Sequence, residues 1–116
     1  MEKLIEIDNK KVPFKATGGT LRRYRSKFGR DMIADMDALL KNYKKNKEEG
    51  GNLERANLEI FENVAYIMAK QADSSVPDDP DEWLDEFNMF SIWVILPQII
   101  DLWQTQQLPL AELKKK

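Results

Sequence analysis

One stretch of this 116-residue chain, residues 87–100, contains no charged side chain, although a third of all residues are charged. Most of these 14 positions are apolar, and so are the nearby Leu102 and Trp103. A helix here is therefore apolar nearly all round. Fourteen residues are too few to cross a bilayer, which takes about 20. The segment must be covered by the rest of the domain or by a partner.

Two residue types are absent, and their absence limits the chemistry. The chain contains no His and no Cys, which excludes disulfides, thiolate catalysis and cysteine-ligated zinc. The side chain best suited to proton transfer near neutral pH is also missing. The acidic cluster between positions 73 and 86 lacks the spacing of a calcium loop and favours a capped helix start. We expect a protein that is not an enzyme, with no catalytic residue, no metal and no cofactor.

The N-terminal residues 1–16 alternate apolar and polar side chains, which predicts a β-hairpin. A two-residue loop at positions 9 and 10 would place Ile7 opposite Val12 and Ile5 opposite Phe14. One face of the hairpin is then apolar. Because an isolated hairpin is marginal in water, this one has to pack on the rest of the chain.

A long amphipathic helix is predicted over residues 20–46, with Thr20 as its N-cap. Gly29 interrupts it, so a kink or two shorter helices are open alternatives. The polar stretch 42–52 ends in two glycines and predicts a mobile loop. Seven apolar side chains recur along the helix at intervals of three and four, the spacing of one face: Leu21, Tyr24, Phe28, Met32, Met36, Leu39 and Tyr43.

Further helices are predicted in the second half of the chain. One covers residues 53–72, and others cover residues 80–104. Asp79 is the predicted N-cap of the helix that begins at residue 80, and Pro80 lies in the first turn of that helix. Pro97 implies a kink or a boundary within the apolar segment.

These elements predict one domain spanning residues 1–116. It is mostly α-helical, of the α+β class, with an N-terminal β-hairpin followed by a four- to five-helix bundle. A chain of this length buries about two thirds of its surface, which is enough for one core. The polar tail, residues 105–116, is predicted to be frayed.

Charge is distributed unevenly along the chain. The overall net charge of −2 combines +7 in residues 1–47 with −9 in residues 48–116. Either the two halves attract each other or neighbouring copies do, so self-association is compatible with this pattern. A net acidic protein is a poor generic DNA binder, which disfavours nucleic acid as a partner. The candidate residues for electrostatic docking are basic and lie on the predicted first helix: Arg22, Arg23, Arg25 and Arg30.

Three tryptophans, at positions 83, 93 and 103, lie ten residues apart. Tryptophan is enriched at binding hot spots, but in a small chain it also serves as core, and both interpretations stay open. The surplus of apolar residues around the last two supports a partner-binding role. The candidate partner-binding residues are Phe90, Trp93, Ile95, Leu96, Ile99, Ile100 and Trp103.

Five stretches of the sequence, in their order and spacing, resemble a known family. They are KVPFKATGGT (11–20), RYR (23–25), FGRD (28–31), FENVAY (61–66) and PDDPDEWLD (77–85). In this respect the chain resembles the small tail assembly chaperones of long-tailed, non-contractile bacteriophages and prophages of Gram-positive hosts.

The resemblance implies a function in the host cytoplasm. Such chaperones coat the tape measure protein, a very long helical chain that sets tail length. They keep its apolar stripes from aggregating and leave as tail-tube subunits polymerise around it. The resemblance therefore implies the tape measure protein as partner, with the tail-tube protein and a frameshifted longer form of the chaperone itself as further ones. The family supplies no catalytic residues.

Two other functions remain as alternatives at this point. The chain could be a structural virion component, such as a connector or tail-completion protein, and its presence in mature particles would favour that role. It could also be a nucleic-acid-binding module that uses the basic face between Arg22 and Arg30. Binding that falls steeply with salt, and that arginine substitutions abolish, would favour the second alternative.

Overall fold

A computed structural model describes the backbone of residues 2–49 and 54–115, and the side chains of residues 2–46 and 54–104. It confirms the predicted fold class, with an antiparallel hairpin followed by helices. The elements in these ranges are β1 (Glu2–Ile7), β2 (Lys10–Lys15), α1 (Thr20–Phe28), α2 (Met32–Glu49), α3 (Arg55–Ala72), α4 (Pro80–Leu84) and α5 (Ile92–Lys115).

The hairpin turn lies one position earlier than predicted. Its two central residues are Asp8 and Asn9, with φ of 56° and 66°. A two-residue turn in which both central residues have positive φ matches the right-handed twist of the strands, and Asp and Asn tolerate that conformation better than Lys. The predicted loop at Asn9 and Lys10 is therefore wrong, and Lys10 instead begins β2.

The strand register is consequently shifted by two positions. Ile5 faces Val12 and Ile7 faces Lys10, in place of the predicted pairs of Ile7 with Val12 and Ile5 with Phe14. A shift of two residues preserves the alternation of faces. Ile5, Ile7 and Phe14 therefore all remain buried, as the pattern required.

Gly29 divides the predicted helix over 20–46 into α1 and α2. It has a φ of 67°, and its N–H donates to the Arg25 carbonyl at 2.7 Å, which ends α1. Such a left-handed residue is a common way to end a helix. The sequence allowed one continuous helix, one kinked helix or two shorter helices, and the structure has two helices.

We expect Gly29→Ala to lower the free energy of unfolding by about 1–2 kcal/mol, because a β-carbon is strained at positive φ. No atom lies within 4 Å of the position that this β-carbon would occupy, so the cost is one of backbone conformation alone. Gly18→Ala is the matched control, because its β-carbon also meets nothing within 4 Å and its φ is not positive. Urea denaturation of both variants checks this, and equal midpoints would contradict it.

Helix ends differ from the prediction in three places. α2 continues to Glu49, so the described part of the predicted 42–52 loop is helical. α5 passes Pro97 without a boundary and continues to Lys115, whereas the predicted helices ended at residue 104; the predicted fraying of the tail stays a prediction. Both extensions are rich in Lys, Glu, Gln and Leu, which favour helix. Leu53, where the second long helix was predicted to begin, lies outside the described residues.

Thr20 is not an N-cap as predicted. It is the first residue of α1, after Gly19. Its hydroxyl accepts from the Thr17 N–H at 2.9 Å and donates to Gln71 Oε1 at 2.7 Å. It therefore joins the strand-to-helix turn to the end of α3. The predicted cap at Asp79 is confirmed, since its carboxylate accepts from the Asp81 N–H.

The core forms around α3, which contacts β2, α1, α2, α4 and α5. At its centre lies Trp83, which is 2% exposed. Its ring centroid is 6.3 Å from that of Phe14, 6.0 Å from Tyr66 and 5.3 Å from both Phe87 and Phe90. This aromatic cluster joins the hairpin, α3, α4 and the segment that leads into α5.

Candidate functional site

Three large apolar side chains at the start of α5 and just before it are exposed. Met89 is 70% exposed, Val94 56% and Trp93 41%. We call these three residues the apolar rim. Each is far more exposed than the buried residues of α5, so the rim is a candidate binding surface.

The rim follows from the way α5 packs. Its buried side chains recur at helical spacing and form one face: Ile92, Ile95, Leu96, Ile99, Leu102 and Trp103. Trp93 and Val94 lie off this face and project towards solvent. Over the part of α5 whose side chains are described, the helix that looked apolar all round is thus covered by its own domain mainly on one side.

The predicted partner-binding residues divide accordingly. Ile95, Leu96, Ile99 and Trp103 are buried in the core of this chain. Phe90 and Ile100 are half-buried, and the Phe90 ring stacks near Phe61 at 5.4 Å. Only Trp93 among the candidates belongs to the rim. Of the three tryptophans, Trp83 and Trp103 therefore lie in the core, and Trp93 lies at the surface.

Trp93 is held in place by α2. Its ring lies 5.3 Å from that of Tyr43, at an interplanar angle of 34°. Tyr43 is itself buried, which raises the pKa of its hydroxyl. One side of the indole is therefore packed, while Trp93 as a whole remains 41% exposed in the described part of the chain.

A groove of about 340 Å³ lies between the tip of the hairpin and the start of α5. We call it the tip groove. Ile7 and Ile95 form its floor, Met89 and Val94 line its outer side, and Glu6 and Asp8 supply carboxylates. The Asp8 carboxylate also accepts from the Asn88 N–H at 3.0 Å, which fastens the two walls together.

Four residues that line the groove were not predicted from the sequence: Glu6, Asp8, Met89 and Val94. The sequence offered a reason to select Val94, because this residue belongs to the uncharged apolar segment. The sequence offered no such reason for Glu6 and Asp8, since nothing in the local sequence indicates that the hairpin tip packs beside α5.

A second depression, of about 490 Å³, lies between α3 and α4 and contains several carboxylates. Burial raises the pKa of Glu62 there, and the nearby charges of Glu59 and Asp81 add to the effect. No group of three acidic side chains in the described part of the chain is arranged to hold a metal ion.

The predicted docking arginines separate into two groups. Arg22, Arg23 and Arg25 are exposed on α1, and no ion pair involving them is found among the described side chains. Arg30 is different, because it forms two hydrogen bonds to Asp35, at 2.7 and 2.8 Å. Arg30 thus has a structural partner within its own chain.

Contacts also join the basic and acidic halves of the chain. Lys3 pairs with Asp101 at 3.3 Å. Lys10 donates to the Glu86 carbonyl at 3.3 Å, and Lys27 donates to the Asp78 carbonyl at 2.5 Å. Of these contacts only the Lys3–Asp101 ion pair joins opposite charges, and it favours the interpretation that the two halves attract each other.

The fold and the site define a small helical protein with an N-terminal hairpin and an exposed apolar surface. Comparison with protein-family models, curated proteins and solved structures finds no match to this chain. None of the helices in the described ranges is both long and apolar enough to cross a membrane.

Proposed function

We propose that this chain is a phage tail assembly chaperone that binds the tape measure protein and keeps it soluble until the tail tube assembles. The observation that carries the proposal is the apolar rim beside the tip groove. A chaperone of this kind acts by covering apolar surface and needs no catalytic residue. The sequence resemblance supplies the identity of the client.

The size of the site suits transient coating. The rim has only three side chains, so one copy covers a short part of a long client. Such a contact is weak by itself, so many copies are needed to coat one client, and each can leave readily. Tail-tube subunits can then displace them as they polymerise. The tail-tube protein, a longer frameshifted form and other copies of the chain are proposed as further partners in the host cytoplasm.

Co-expression with the tape measure protein of the same phage or prophage tests this function. We expect the client to be insoluble alone and to become soluble and co-purify with the wild-type chain. Trp93→Asp should reduce the co-purified client severalfold, because it places a charge on the apolar rim. Circular dichroism must show that the variant folds.

Ile33→Asp is the matched control. Ile33 is also an exposed apolar residue, 54% accessible, but it lies on α2 about 15 Å along the helix from Tyr43. This variant should solubilise the client as well as wild type does. Equal effects of the two substitutions, an unchanged insoluble client, or recovery of the chain from mature particles as a structural component would overturn the proposed function.

A further inference from the structure

We propose that the tip groove binds a basic amphipathic helix. Apolar side chains of the helix enter the groove, and a Lys or Arg beside its apolar stripe pairs with Glu6 and Asp8. The inference rests on the proposed function only for the identity of the natural client. The chemistry of the ligand comes from the groove itself.

The apolar part of the groove fits large aliphatic side chains. Its floor, Ile7 and Ile95, is almost fully buried, while Met89 and Val94 extend it towards solvent. Its volume, about 340 Å³, lies at the lower end of the range of protein ligand sites. Because the outer side chains are exposed, the groove is open to solvent on that side and can accept side chains of a partner longer than the groove.

Charge favours a cation at one wall. The carboxylates of Glu6 and Asp8 line the groove, and no lysine or arginine among the described residues does so. The nearest basic side chain along β2, Lys10, donates to the Glu86 carbonyl and lies over the Phe87 ring at 5.7 Å. Lys11 faces Glu6 across the hairpin but does not line the groove. A basic partner is thus attracted, and an acidic one is repelled.

A helix can satisfy both requirements within one short groove. Side chains at positions i and i+4 of a helix lie on the same face, with those at i+1 and i+3 at its edges. Apolar anchors and a flanking cation therefore reach the floor and the wall together. In an extended segment only alternate side chains share a face, so the anchors and the cation would lie in a single row instead of side by side.

The groove is formed before any ligand binds. The two positive-φ residues of the turn fix the hairpin tip, and the bond from the Asn88 N–H to Asp8 holds it beside the segment before α5. Trp93, next to Val94 in α5, packs on Tyr43 of α2 outside the groove and helps to fix the start of α5. Binding therefore requires little rearrangement, and less affinity is lost to ordering the site.

Two synthetic peptides of about 18 residues test the proposal, a length that permits helix formation. Both carry the same leucine stripe, with lysine at the flanking positions in one and glutamate in the other. Fluorescence anisotropy of the labelled peptides measures binding to the full chain. We expect the lysine peptide to bind at least severalfold more tightly than the glutamate peptide, with a difference that shrinks as salt increases.

Groove variants then locate the binding. Val94→Arg should weaken the lysine peptide at least tenfold, and Met89→Arg provides a second test if the first variant does not fold. Glu6→Lys should abolish the preference for the lysine peptide. Glu59→Lys makes the same charge change at an exposed position of α3 that does not line the groove, and it should retain the preference.

The outcomes separate this inference from the proposed function. If Glu6→Lys behaves like Glu59→Lys, or if both arginine variants bind normally, the inference is overturned even when the tape measure protein is solubilised. If the groove selects the lysine peptide while the tape measure protein stays insoluble, the inference stands and the proposed function fails. If Val94→Arg dissociates an oligomer that the lysine peptide cannot disrupt, the groove is an interface between copies, and the inference is overturned.

Discussion

Trp83→Ala should lower the free energy of unfolding by about 3–5 kcal/mol, the cost of truncating a large buried aromatic side chain. Trp83 contacts Phe14 of the hairpin, Tyr66 of α3 and Phe87 and Phe90 beyond α4. Its removal leaves a cavity where these elements meet, and they cannot all move to fill it. Chemical denaturation followed by circular dichroism measures the loss.

Trp93→Ala is the matched control for this truncation. Trp93 is 41% exposed, and its one ring contact among the described side chains is with Tyr43. We expect it to cost about 1 kcal/mol, mainly from the lost aromatic pair. Comparable losses in the two variants would show that Trp83 is not the centre of the core.

Asp35→Asn should destabilise the protein by about 2 kcal/mol near neutral pH, the scale of hydrogen bonds to a charged group. The Asp35 carboxylate is nearly buried and accepts two hydrogen bonds from Arg30 and one from the Tyr24 hydroxyl at 2.7 Å. An amide cannot accept all three bonds. Because the Arg30 side chain is half exposed, water offsets part of the loss.

The effect should depend on pH in a defined direction. The hydrogen bonds from Arg30 hold the pKa of Asp35 below its usual value, despite the opposing effect of burial, and Tyr24 contributes in the same sense. A carboxyl group with a lowered folded-state pKa stabilises the protein above its unfolded pKa, about 3.9. The difference between wild type and Asp35→Asn should therefore be constant above about pH 5 and shrink as the pH falls through the folded pKa.

Asp37→Asn provides the control for Asp35. Asp37 pairs with Lys41 at 3.0 Å, but both side chains are mostly exposed. Such a pair contributes less than about 0.5 kcal/mol. Urea denaturation between pH 3 and 7 distinguishes the two variants, and a pH-independent effect of Asp35→Asn would contradict the role of its charge.

The parts of the fold that depend on side-chain periodicity could be predicted. The burial of Ile5, Ile7 and Phe14 was predicted correctly although the strand register was wrong. A shift of two positions leaves every side chain on the same face of the hairpin. The turn itself could not be fixed, because Asp8, Asn9 and Lys10 allow two loops that differ by one position. The C-terminal extensions of α2 and α5 were not predicted, because a polar composition is compatible with a loop and with an exposed helix.

The candidate site was less predictable than the fold. The uncharged apolar segment drew attention to the start of α5, but of the seven partner-binding candidates only Trp93 belongs to the apolar rim. Which other apolar residues stay exposed depends on the rotation of α5 against α3. The groove further requires the hairpin tip to meet Met89 and Val94, a contact between distant parts of the chain that periodicity cannot show.

The distance along the sequence between the two walls of the groove has a consequence for synthesis. The Asp8 carboxylate and the Asn88 N–H are 80 positions apart, and Lys3 and Asp101 are 98 apart. At about 5–20 residues per second, a ribosome takes several seconds to make the intervening chain. The hairpin can pack on α3 before then, but the groove lacks its second wall during that time, and a nascent copy cannot hold a ligand in it until α5 has emerged. Capture is therefore restricted to chains that have left the ribosomal tunnel at least as far as their last helix.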